Sequence, residues 1–410
     1  MNSRQRVLTA LAHEEPDRVP IDLGGSLVTS INAVGYSRLK RYLGVGGDPP
    51  DPPRVVNIIL QLAKVEESIR RRFGADIVEL PTLEPLPGVR NLCWKPWTLP
   101  DGSPALISAD FEPEVTERGD LLVRASDGSI GQRMVAGTYH FVPGDAPLAD
   151  ANLEDLERFD FSRISDEELE FLHRAARRLH DETEYAIFAW FNGSLVEAGQ
   201  FARGWARFLT DLKQAPEFAA ALIEKLATVA LADLERYLEA VGDFVHVIGF
   251  GDDLGIQTGL QFHPDLYRRY FKPYHRQLYG MVHARSQARV FLHSCGSVYD
   301  LIPDLIEVGV DILNPVQTSA AKMEPARLKQ EFGEQLTFWG AGSCPHGVLP
   351  WATPAAVEAD VRERLQILAP GGGYVFAPIH NIQPDVPPEN VVAMYDAALQ
   401  YGRLPRIWRR

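Results

Sequence analysis

Apolar residues along the chain gather in short dense runs, separated by longer stretches in which they recur every three or four positions. The runs are RVPIDL (18–23), ADIVEL (75–80), YAIFAWF (185–191), FVHVIGF (244–250), ARVFLH (288–293), VDILNP (310–315), LTFWGA (336–341) and GYVFAP (373–378). Apolar residues at adjacent as well as alternate positions predict parallel strands covered on both faces. Between them the rhythm is helical. After Ser297 the apolar positions are Val298, Leu301, Ile302, Leu305 and Ile306, one stripe of a 3.6-residue period. Residues 265–284 have helical character as well. So do residues 353–370, which open on a threonine cap followed by proline at the first helical position. Eight strands alternating mostly with helices predict an α/β fold, a (β/α)8 barrel, over one domain spanning 1–410. A doubly wound open sheet is the alternative.

One segment breaks the alternation. Residues 86–150 are rich in Pro, Gly, Trp and Asp and contain LLVRASDGSIGQRMV, whose Asp-Gly marks a hairpin turn. This predicts a β-rich excursion between the second strand and a later helix, serving as a lid over the barrel mouth or as a contact between copies of the chain.

Bulk chemistry narrows the function classes. With 41 basic and 55 acidic residues the net charge is −14, which disfavours a non-specific nucleic-acid surface. Three cysteines, Cys93, Cys295 and Cys344, are too few and too scattered for a disulfide framework and fit a reducing compartment. The amino-terminal stretch lacks a signal-peptide core, and no run approaches the roughly 20 apolar residues that span a bilayer. A cytoplasmic enzyme that uses no membrane is expected. The glycine-rich GGSLVTS and PGGGYVF match neither a P-loop nor a dinucleotide fingerprint.

In a barrel, polar residues just past the carboxyl ends of the strands converge on one face. That rule selects Asp22, Asn192, Asp252, Asp253, His293, Cys295, Asn314 and His380, with Cys344 and His346 in the loop after the seventh run. Asp76 lies inside the second run or at its start. Taken singly, such residues have ordinary explanations: a strand-end aspartate caps a helix and a lone cysteine packs as a small hydrophobe. Together, His293, Cys295 and His380 offer nitrogen, sulfur and nitrogen donors at one mouth, the set a catalytic zinc with an open position uses. His-x-Cys alone, without a second close pair, leaves packing and metal binding both open.

Three stretches carry a resemblance. RQRVLTALAHEEPDRVPIDLGG at the start, HSCGSVYDLIPDLIEVGVDILNPVQ, and YVFAPIHNIQPDVPPENVVAM near the end resemble the uroporphyrinogen decarboxylase superfamily, and more narrowly its corrinoid-dependent methyltransferase branch. The resemblance implies a (β/α)8 barrel. In that branch zinc is held by a His-x-Cys pair and a later cysteine placed ahead of a Pro-x-Glu-Asn stretch; the same spacing puts a histidine, His380, at that third position here, which implies His293, Cys295 and His380 as the ligands. It further implies methyl transfer between a small methylated substrate, such as a methoxy compound, or a thiol, and a cobalt corrinoid (cobalamin). The corrinoid is expected on a partner protein, because the chain has no DxHxxG signature. Asp76, Asp252 and Asp253 are then the expected catalytic acids, and Asp22, Asn192, Asn314, Cys344 and His346 the expected substrate contacts. The alternative is a metal-independent decarboxylase. Asp76 resembles the catalytic aspartate of the decarboxylases, but GGSLVTS stands where they carry an arginine-bearing motif.

Overall fold

The computed structural model describes residues 1–403 apart from Pro49, Ser126 and His346. Seven parallel strands form one curled sheet: β1 (Ile77–Glu79), β2 (Ala186–Asn192), β3 (Val247–Gly251), β4 (Arg289–His293), β5 (Ile312–Asn314), β6 (Thr337–Ala341) and β7 (Tyr374–Ala377), each paired to the next in chain order. The first predicted run becomes an eighth, shortened stave. Ile21 bridges Phe376 of β7 in parallel, and the Asp76 N–H beside β1 donates to the Ile21 carbonyl at 2.7 Å. That segment therefore joins the two sheet edges and closes the barrel.

Alternation along the strands sorts the side chains. Ile77, Phe188, Val247, Phe291, Ile312, Trp339 and Val375 point inward and pack together, with Val7 and Leu11 of the helix Ser3–Leu11 joining their cluster. Phe188, Phe291 and Trp339 meet edge to face at centroid distances of 4.8–6.0 Å. Gly249 makes room for them: a Cβ there would lie 2.5 Å from the Phe188 ring. Continuing the inward set two residues onward gives His293 on β4 and Asn314 on β5, so the period of the strand delivers polar side chains to the mouth.

The helices largely follow the sequence reading. Pro354–Leu368 starts at Pro354 with the Thr353 side chain accepting from the Ala356 N–H. The predicted helix at 265–284 is instead broken into Pro264–Leu266, a π-helical turn Tyr267–Phe271 and Lys272–Arg285. Pro273 lacks the N–H that would continue the ladder, and the turn before it widens. The excursion is β-rich as predicted. Trp94–Thr98 pairs with Pro104–Ser108, and a four-stranded antiparallel sheet carries the Asp127-Gly128 turn between Leu121–Arg124 and Ile130–Met134. Asn91, Leu92 and Trp94 from this excursion line the large cleft at the barrel mouth. Among the described residues, no helix is long and apolar enough to cross a membrane.

Candidate metal centre

His293 ends β4, Cys295 follows it by two residues, and His380 follows β7. Their ligand atoms all lie within 4.8 Å of one another. The Cys295 sulfur is 3.3 Å from His293 Nε2, and the two imidazoles sit 5.5 Å apart at 62°. The local chain is tightly fixed. Gly296 has φ +80°, and a Cβ on it would meet the backbone of Gly255 and Ile256 at 2.6 Å. The Cys295 N–H donates to Asp253 Oδ1 at 2.7 Å.

Outer contacts orient the first ligand. His293 Nδ1 lies 2.6 Å from Asn314 Oδ1, while Asn314 Nδ2 donates to the Trp339 carbonyl at 2.8 Å. The amide oxygen can only accept, so Nδ1 carries the proton and Nε2 offers its lone pair towards Cys295 and His380. Burial pushes the Cys295 thiol well up, with Asp253 and Glu197 adding to the shift; a divalent cation in contact with the sulfur inverts that balance. An N/S/N set with a pre-set tautomer fits a catalytic zinc, which takes three protein ligands and keeps one position open. Asn314→Ala is expected to weaken metal binding by about 10–100-fold without unfolding the chain, the usual effect of losing such an outer contact. Competition against a calibrated chelator measures it.

Several sequence-predicted residues have other work. Asn314, predicted to touch substrate, is fully buried and uses both amide atoms on His293 and Trp339. Asp252, predicted to be catalytic, accepts from the backbone N–H groups of Leu195, Val196 and Glu197, capping the helix Val196–Arg203, and also contacts His275 Nε2 at 3.2 Å. Asp22, predicted to touch substrate, is buried; it accepts from the Gly25 N–H at 2.7 Å and Trp339 Nε1 at 2.9 Å, and burial pushes its carboxyl up to about 7.

Asp76 precedes β1 and so sits at the opposite end of the barrel from the ligands. Its carboxylate is taken by Arg6 at 2.7 Å and by Arg18 at 2.7 and 3.0 Å, partners that hold the fold. Cys344 is half-buried beside Asp360, to which its N–H donates, and lies outside both the His-Cys-His group and the cleft lining. His346 lies outside the described residues.

Asn192 and Asp253 do line the cleft, with His293 and His380. Its volume is about 890 Å³. Three acids that sequence reasoning missed, Glu79, Glu84 and Glu197, line it as well. Burial pushes the Glu197 carboxyl up to about 8, with Asp253 and Asp252 contributing; burial and then Asp22 push Glu79 up to about 8. Glu79 ends β1, so the strand-end rule selects it once the strand's true limit is known. Glu197 reads in sequence as an ordinary first-turn acid of a helix.

Comparison with known proteins agrees with this architecture. A uroporphyrinogen decarboxylase of Magnetococcus marinus is 23% identical over 294 residues, covering 69% of this chain and 79% of the relative. One from Methylococcus capsulatus is 25% identical over 243 residues, covering 57% and 65%. In solved structures, a methyltransferase from Methanosarcina mazei superimposes with a TM-score of 0.62 at 17% identity, over 98% of this chain and 99% of the other, a likeness of fold. Residues 120–401, more than half of the chain, match the family Uroporphyrinogen decarboxylase (URO-D), and the chain belongs to that family.

Proposed function

We propose that the chain is a zinc-dependent methyltransferase, moving a methyl group between a small methylated substrate or a thiol and the cobalt corrinoid of a partner protein. The observation that carries this reading is the convergence of His293, Cys295 and His380 at the barrel mouth, with their ligand atoms within 4.8 Å. When bound there, zinc supplies Lewis acidity to a departing oxygen or stabilises a thiolate.

The chain's own residues do the rest. Asn314 fixes the His293 imidazole, and Asp253 fixes the backbone of Cys295. Glu197, its carboxyl pushed up to about 8, holds a proton at neutral pH beside the same cleft and hands it to an oxygen that leaves as an anion. Asn192 orients the substrate from the end of β2. Trp94, Trp190 and Phe201 give the cleft apolar walls, suited to a methoxylated body and to exclusion of water.

Decarboxylation is the weaker reading. It rests on Asp76, which is ion-paired below β1, and on arginines that the stretch GGSLVTS lacks. Anaerobic incubation of the zinc-loaded protein with free cob(I)alamin and a panel of methoxylated compounds tests the choice. Appearance of the methylcobalamin spectrum, absent in His293→Ala, is expected. Carbon dioxide release from uroporphyrinogen, with no methyl transfer from any panel member, would overturn the reading.

A further inference from the structure

The cleft has a second charged wall besides the one built by β4 and β7. Arg54, Lys64, Arg70 and Arg178 line it, from the segment ahead of β1 and from the helix Asp166–Glu182. In a chain of net charge −14, cations are expected to find carboxylates. Among the described residues Arg54, Lys64 and Arg178 show no ion pair. The Lys64 N–H donates to the Arg54 carbonyl at 2.8 Å, which sets these two residues side by side. Arg54 lies over the Trp94 ring at 5.5 Å. Arg70 is held by Glu67 and the Val65 carbonyl and lies 5.9 Å from the Tyr185 ring. The Lys64 ammonium is pushed below the usual lysine range, first by the protein around it and then by Arg54, Arg70 and Arg178. The four charges thus crowd one another. The acids of the cleft lining, Glu79, Glu84, Glu197 and Asp253, form no ion pair with these cations among the described residues, Arg70 pairing with Glu67 instead.

We infer that this wall is an oxyanion subsite, built by Arg54, Lys64 and Arg178 together with Arg70, which takes a carboxylate or phosphate carried by the substrate. Guanidinium forks pair with such groups through two parallel hydrogen bonds, and an ammonium adds a point charge. Leu60, Leu92, Trp94, Phe171 and Trp190 line the same cleft, so the substrate is an apolar, preferably aromatic body with an oxyanion at one end. That its other end bears the methyl group rests on the methyl-transfer reading; the oxyanion subsite does not.

Calorimetric titration of the purified full chain with 4-methoxybenzoate, 4-methoxyphenyl phosphate and neutral 4-methoxybenzyl alcohol tests the inference. The charged probes are expected to bind at least about tenfold more tightly than the alcohol, with carboxylate against phosphate deciding which oxyanion the wall prefers. Lys64→Gln and Arg178→Gln are each expected to weaken the charged probes about tenfold and to leave the alcohol unchanged. His293→Ala is expected to keep the preference for charge, so that failure of the metal reading is told apart from failure of this one. Equal affinity for charged and neutral probes, no binding of any oxyanion at millimolar concentration, or a preference that survives the Lys64→Gln/Arg178→Gln double variant overturns it. Loss of the preference in His293→Ala alone would place the anion at the His-Cys-His group and overturn it as well.

Discussion

Cys295→Ala is expected to leave a folded protein with almost no bound zinc and with methyl transfer reduced by about three orders of magnitude. The sulfur is the one anionic donor of the group, and the two imidazoles that remain are neutral ligands. Losing a group that merely orients a ligand weakens metal affinity about 10–100-fold, so loss of the thiolate itself must exceed that range. A Lewis acid contributes several kcal/mol to the reaction barrier, and each 1.36 kcal/mol is about tenfold in rate. Metal analysis by mass spectrometry after gel filtration reads the first effect, and the cobalamin spectrum the second. His293→Ala and His380→Ala are expected to behave alike. Cys93→Ala, at an exposed site, and Cys344→Ala, outside the group, are expected to keep about one zinc per chain. A metal content that survives loss of Cys295 but falls with Cys344 would move the centre to the neighbouring loop and dismantle the proposed chemistry.

The barrel and the meeting of His293, Cys295 and His380 are legible for one reason: each is set by the order of apolar runs along the chain. A run that ends on β4 at His293 puts that residue at the mouth wherever the helices pack, and the same holds for His380 after β7. What the runs do not encode is how neighbouring polar atoms are shared. Asp252 and Asp253 are adjacent in sequence, yet one is consumed by three backbone N–H groups at the start of a helix while the other supports Cys295. Asn314 stands at a strand end like a substrate contact, but its amide is spent on His293 and Trp339. The run ADIVEL predicts a strand over all six residues and so hides Glu79, whereas the strand covers Ile77–Glu79 and the glutamate is its carboxyl end. Asp76 suffers the converse: with the strand starting at Ile77, it belongs to the closed end of the barrel.

That displacement sets the last expected result, which concerns stability rather than turnover. Asp76→Ala is expected to lower unfolding free energy by about 3–5 kcal/mol, the usual loss when one partner of a buried ion pair is removed. Typical domains hold only about 5–15 kcal/mol in all, so the urea midpoint should fall steeply. The Asp76 carboxylate is fully buried and takes Arg6, Arg18 and, at 2.9 Å, the Ile21 N–H. Arg6 keeps Asp17 at 2.6 Å when Asp76 is lost, but Arg18 is left with carbonyl partners only. The Ile21 N–H, part of the stave that closes the barrel, loses its acceptor too. Because none of these groups reaches the mouth, the folded fraction of the variant should retain its zinc and its turnover per folded molecule. An Asp76→Ala protein as stable as the parent, metal-loaded yet inactive, would return this aspartate to the catalytic role that the resemblance to the decarboxylases implied.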